Sequence, residues 1–128
     1  MRSILIFAAG MLIVVSNAVA SKSTYYGFFT AVELHEACGA ANLSKHTSSD
    51  IRGALRKEGE CRGYIIGIAD VLGSGVRIDS FRSCLPPRTT DQQVIDAVVL
   101  WLGKNLKFRQ RAGPSLVAEA LATSFPCK

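Results

Sequence analysis

The stretch Cys61–Leu72, Cys-Arg-Gly-Tyr-Ile-Ile-Gly-Ile-Ala-Asp-Val-Leu, constrains the fold more than any other part of the chain. Between Tyr64 and Leu72 only Asp70 is charged. The apolar residues do not alternate with polar ones, as a half-buried strand requires. They run nearly all round a helical wheel instead. A helix that is apolar on every side belongs in the middle of a core. Gly63 and Gly67 are four apart and share one face of that helix. Each costs a helix about 1 kcal/mol relative to alanine, so the pair predicts a groove where another backbone comes close. Asp70 is expected to be a buried acid, hydrogen-bonded to a neighbouring element.

At 128 residues the chain has the size of one small domain. Residues 1–20 have the form of a signal peptide. Arg2 supplies the positive start, Ile4 to Val15 the apolar run, and Ala18-Val19-Ala20 the small-residue cleavage site. The run is shorter than the about 20 residues that a membrane span needs. The expected mature domain is therefore residues 21–128, exported and free of the membrane after cleavage. The net charge of +5 falls by one when Arg2 leaves. The remaining basic side chains are scattered, apart from one cluster at Lys104, Lys107, Arg109 and Arg111. A nucleic-acid binder needs a basic stripe or interleaved aromatics, so that class of partner is set aside. The cluster reads as a solvated loop or as a partner patch.

Four cysteines, Cys38, Cys61, Cys84 and Cys127, lie after the leader. An even number in a short exported chain predicts two disulfides, with three pairings open. No two are spaced as a zinc site requires, and neither histidine supplies the missing ligand spacing. No metal or other cofactor is expected.

Four main helices follow in order. Thr30-x-x-Glu33 is a capping box, with Phe29 and Leu34 placed as its hydrophobic staple. Leu34, Ala37 and Cys38 face inward, His35 lies on the surface, and Gly39 is a stop. A polar loop over residues 40–50 contains His46 and ends Ser48-Ser49-Asp50, a cap for a short lead-in helix from Ile51 to Lys57. Gly59 is expected to bend or break that lead-in before the central helix. Gly73-Ser74-Gly75 ends the central helix. Pro86-Pro87 forbids a helix there, so Val76 to Ser83 is a loop or a weakly extended segment. Thr89-x-x-Gln92 and Thr90-x-x-Gln93 are overlapping caps for a third helix. Ile95, Val98, Val99, Leu102 and Leu106 form its apolar stripe. Pro114 opens a fourth helix, faced by Leu116, Val117, Ala120, Leu121 and Phe125 and stopped by Pro126. The fold class is all-α, a bundle of four to five helices. If helices 1 and 2 form an antiparallel hairpin, Cys38 meets Cys61. If helices 3 and 4 do the same, Cys84 meets Cys127.

Catalytic constellations are missing. No nucleophile has an evident base, and no metalloprotease, hydrolase-elbow or phosphate-loop pattern occurs. Asp70 and Glu119 read as lone carboxylates on apolar helices. The chain is expected to bind rather than to catalyse.

The order Cys61-x-Gly63-Tyr64-Ile65-x-Gly67-Ile68-Ala69-Asp70, Cys84-Leu85-Pro86, the helix Gln93 to Leu102, Leu116-Val117-x-x-Ala120-Leu121 and Phe125-Pro126-Cys127 resembles the Rap/Tai immunity proteins of bacterial type VI secretion systems. The stretch Lys107 to Ala112 departs from the His-Pro-Glu-x-Arg-like wording that is common in them. The resemblance implies a small helical, disulfide-linked periplasmic protein, dimeric in some members. It would block a secreted toxin by occlusion, often a peptidoglycan amidase. It transfers no contact residues. The candidate interface comes from the loops: Val76, Arg77, Asp79, Phe81 and Arg82 in the first, Lys107, Arg109 and Arg111 in the second. The competing reading is a periplasmic helical binding or chaperone-like protein with no toxin partner.

Overall fold

The computed structural model describes residues 28–39, 50–108 and 110–128. The expected leader, the polar loop with His46, and Arg109 lie outside the described residues. The elements are α1 (Ala31–Gly39), α2 (Ile51–Gly73), α3 (Asp91–Lys104), a short 3₁₀ turn (Leu106–Phe108) and α4 (Gly113–Ser124). No strand occurs among the described residues, and no helix among them is long and apolar enough to cross a membrane.

The 23-residue α2 packs against all three other helices. Its buried side, Cys61, Ile65, Ile68, Ala69 and Leu72, meets Leu34 of α1, Val98 of α3 and Leu116, Val117 and Leu121 of α4 in one core. The expected break at Gly59 does not occur. The lead-in and the central stretch are one continuous helix, supported on its surface by the i,i+4 ion pair of Arg56 and Glu60. Two further expectations for this helix are corrected. Gly63 and Gly67 are exposed, and a Cβ added at either would meet open space. Asp70 is exposed as well, beside Val71. The helix is therefore central to the packing yet keeps one face in solvent, and its apolar composition hid that face.

The close approach falls elsewhere. Gly113, at the start of α4, is buried, and its amide donates to the Phe29 carbonyl at 2.7 Å. Ala31 N donates to the Arg111 carbonyl at 3.3 Å, so the segment entering α1 and the segment entering α4 form an isolated antiparallel bridge. The Phe29 ring packs edge-on against Tyr64 of α2, centroids 4.9 Å apart. Three helices thus meet at this corner.

The caps explain where the helices begin. Thr30 N and Oγ1 donate to Glu33, at 2.7 and 2.9 Å. Of the two overlapping signals before α3, Thr90 with Gln93 forms the reciprocal capping box. Thr89 instead donates through Oγ1 to the Pro86 carbonyl at 2.7 Å, tightening the Pro-Pro turn. Leu106 leaves the α3 stripe, because α3 ends at Lys104 and Leu106 is 43% exposed in the 3₁₀ turn.

The two disulfides are Cys38–Cys61 and Cys84–Cys127, with Cα–Cα distances of 5.0 and 4.9 Å. Both pairings agree with the hairpin geometry. One detail differs: Cys61 lies midway along α2, so the end of α1 is stapled to the waist of the long helix rather than to its start.

Candidate functional site

Gly75 adopts a φ of +89° and turns the chain off the end of α2, which explains the need for glycine there. Ser74 N and Gly75 N donate to the Asp70 and Leu72 carbonyls, and Ser74 Oγ donates to the Val71 carbonyl. The end of the helix is thereby closed. The chain then folds into a knuckle. Ile78 and Phe81 exchange backbone hydrogen bonds, Ile78 N to Phe81 O at 3.3 Å and Phe81 N to Ile78 O at 3.0 Å. Asp79 at its tip is left-handed, φ 53°, a conformation that aspartate tolerates better than most residues. Arg77 donates to the Ser80 carbonyl at 3.2 Å across the knuckle.

This arrangement sorts the first group of predicted contact residues. Val76, Arg77, Asp79 and Arg82 point to solvent, with Val76 51% exposed. Phe81 turns the other way and packs, half-buried, against the core together with Ile78. It anchors the knuckle, whereas the other four present it.

Beneath the knuckle, between the end of α2 and the strap that leads to Cys84, is an open recess of about 420 Å3. Leu72, Gly75, Arg82, Ser83, Cys84 and Leu85 border it. Ser83 is the one buried polar residue among the described residues, and its Oγ has no hydrogen-bond partner. Such groups are rare in folded proteins. Nothing in the sequence marks it, since a serine between Arg82 and Cys84 reads as a loop residue.

The second group is built differently from a solvated loop. The Phe108 ring stacks on Trp101, centroids 6.2 Å apart. Lys107 Nζ and the Arg111 guanidinium lie over the Phe108 ring at 4.9 and 5.2 Å. Arg111 also donates to Glu119 at 2.7 Å, both side chains being partly buried. Glu119 is therefore not the lone carboxylate expected; Arg111 neutralises it. Beside this stack, Leu100, Trp101 and Lys104 border a second, mostly apolar recess of about 330 Å3. Leu100, 60% exposed, is a feature that the helical stripe of α3 did not single out.

Neither group assembles a nucleophile with a base. Among the described residues no cluster of His, Cys, Asp and Glu has the geometry to hold a metal ion. What the surface offers is a hydrogen-bonded knuckle with apolar and charged side chains, a recess beside it, and a separate cation–aromatic stack.

No curated protein matches the chain. The family model of the Rap1a immunity proteins matches residues 30–127, from the capping threonine of α1 to the last cysteine. The match contains both disulfides, all four helices and both candidate surfaces, and so covers most of the chain. The chain belongs to the Rap1a immunity proteins.

Proposed function

We propose that this toxin-immunity protein is exported to the periplasm, where it binds a cell-wall hydrolase delivered by type VI secretion, of the peptidoglycan-amidase kind, and blocks it by occlusion. The membership in an immunity family supports a toxin as the partner. The two disulfides support an oxidising compartment, since such bonds persist outside the cytosol. The observation that carries the reading is the knuckle Val76–Arg82. Val76, Arg77, Asp79, Ser80 and Arg82 are exposed on it, yet it is pinned by Phe81, by the Ile78–Phe81 bonds and by Arg77. A surface already held in one shape loses little conformational entropy on binding, and a projecting, rigid tip suits insertion into a substrate groove. The cation–aromatic stack is the second contact: Lys107, with which no carboxylate among the described residues pairs, suits an acidic rim around such a groove, while Arg111 is held beside it by Glu119.

The experiment is protection. A candidate wall hydrolase is directed to the periplasm of cells with and without this chain. The expected result is lysis without the chain and growth with it, and loss of protection when residues 76–82 are replaced by a short glycine-serine link. Full protection by the linked variant would remove the knuckle from the interface. Failure of the intact chain to protect against any wall hydrolase encoded beside it would remove the proposed toxin class.

A further inference from the structure

The two disulfides have opposite surroundings. Cys38 and Cys61 are 7% and 4% exposed and lie among Leu34, Ile65 and the rest of the core cluster. Cys84 is exposed, at the edge of the recess below the knuckle, and Cys127 is half-exposed. Beside this outer bridge stands a cation: Arg82 Nε donates to Cys127 Sγ at 3.3 Å. No carboxylate among the described residues pairs with Arg82, so its charge is available to the sulfur.

Thiol–disulfide exchange depends on access to one sulfur and on the stability of the thiolate leaving from the other. The two requirements are divided between these two residues. Cys84 is the more exposed residue of the pair, and the side from which a thiolate approaches. Cys127 is the sulfur whose departing negative charge Arg82 would stabilise, and a cation beside a cysteine lowers its pKa. We propose that Cys84–Cys127 is a directed thiol–disulfide exchange site, open to dithiol reductants and oxidoreductases, while Cys38–Cys61 is a closed structural bond.

In the exchange, a thiolate of the dithiol attacks Cys84 Sγ. The Cys84–Cys127 bond breaks, and Cys127 leaves as a thiolate held by Arg82. The second thiol of the reagent then loses its proton and attacks the mixed disulfide. The reagent departs oxidised, as its own disulfide, and Cys84 departs as a thiolate that takes up a proton. Two electrons pass from the dithiol to the bridge. The site sits next to the knuckle, because residues 82–84 run directly from the knuckle into the bridge. Opening it removes the covalent tie between this strap and the segment after α4, leaving the hydrogen bonds from Cys84 N to the Phe125 carbonyl at 2.9 Å and from Arg82 to Cys127. The exchange chemistry does not depend on the toxin reading, and its test uses no toxin.

The test treats the full oxidised chain with dithiothreitol for increasing times, quenches with an alkylating reagent and maps the labelled cysteines by mass spectrometry. A parallel run uses glutathione to trap the mixed disulfide. Three results are expected. Cys84 and Cys127 are labelled while Cys38 and Cys61 remain joined. Glutathione is found on Cys84. Arg82→Gln slows opening of the outer bridge roughly threefold to tenfold, with the inner bridge unchanged and Arg82→Lys intermediate. Arg82 is exposed, and an unchanged circular dichroism spectrum verifies that the variants fold. Simultaneous opening of both bridges, glutathione on Cys127, or an Arg82→Gln rate equal to that of the parent would each overturn the proposal.

Discussion

Gly113 and Phe29 approach so closely that no side chain fits between them: the Gly113 amide lies 2.7 Å from the Phe29 carbonyl, and a Cβ on Gly113 would stand 2.6 Å from that same oxygen and 2.7 Å from the Tyr64 hydroxyl. The contact ties the entrance of α1 to the entrance of α4 over the waist of α2. An added methyl has to push backbone, which yields less readily than a side chain. Gly113→Ala is expected to cost about 1–3 kcal/mol. Gly63→Ala and Gly67→Ala, which point into open space, are expected to stabilise by about 0.5–1 kcal/mol each. Urea unfolding of the three variants measures both effects, and their opposite signs are the check.

The bridges differ in the loops they close. Cys38–Cys61 spans a sequence separation of 23 and Cys84–Cys127 one of 43. Loop-closure entropy assigns them about 3 and about 4 kcal/mol respectively. Replacing each pair by alanine and comparing unfolding midpoints should therefore show the outer pair costing at least as much as the inner, unless the buried alanines at 38 and 61 also leave a cavity. A cavity adds to the inner loss, and filling position 38 with valine should then recover part of it.

Glu33 gives the stability a small acid dependence. The backbone amide of Thr30, and next its hydroxyl, donate to the Glu33 carboxylate and hold its pKa below the ordinary glutamate value. A depressed pKa means that the folded state prefers the charged form. The stabilisation is complete above the ordinary glutamate pKa and disappears as the pH falls through the folded value. The difference in thermal midpoint between the parent and Glu33→Gln should be constant near neutrality and should shrink toward zero on acidification. A difference that grows as the pH falls would contradict the cap.

Ser83 carries an unsatisfied buried hydroxyl. Removing such a group relieves a desolvation penalty without removing a bond. Ser83→Ala is expected to raise stability by about 1 kcal/mol in chemical denaturation. A loss of similar size would mean that the hydroxyl bonds an ordered water in solution.

The helices, both caps of the Thr-x-x-Glu/Gln type and the cysteine pairing were legible in the sequence because each rests on short-range spacing. Thr30 and Glu33 need only be three apart, and Cys38 and Cys61 need only a hairpin. The glycines of α2 were misread for a related reason. Spacing shows that Gly63 and Gly67 share a face; it does not show whether that face meets a helix or water. The single glycine that a neighbour does require, Gly113, looks in sequence like an ordinary helix start before Pro114, because its neighbours Phe29 and Tyr64 are remote along the chain. Glu119 reads in sequence as a lone carboxylate on an apolar helix, while Arg111 reaches it from just before α4. Of the candidate contact residues, the sequence located the loop but not its turn. That Phe81 faces the core while Val76, Arg77, Asp79 and Arg82 face solvent depends on the Ile78–Phe81 bonds and on the left-handed Asp79.

The most direct measurement is the affinity of the purified chain for its cognate toxin, by calorimetry, with Val76→Asp and Arg77→Glu compared against the parent. Both side chains are exposed and lie outside the core; Val76→Asp should keep the parent's unfolding midpoint, whereas Arg77→Glu also removes the bond to the Ser80 carbonyl, so Val76→Asp is the cleaner of the two. The expected result is a loss of affinity of about tenfold or more for each variant, equivalent to about 1.4 kcal/mol. Undiminished affinity in both, with folding intact, would contradict the claim that the knuckle after α2 is what the toxin meets.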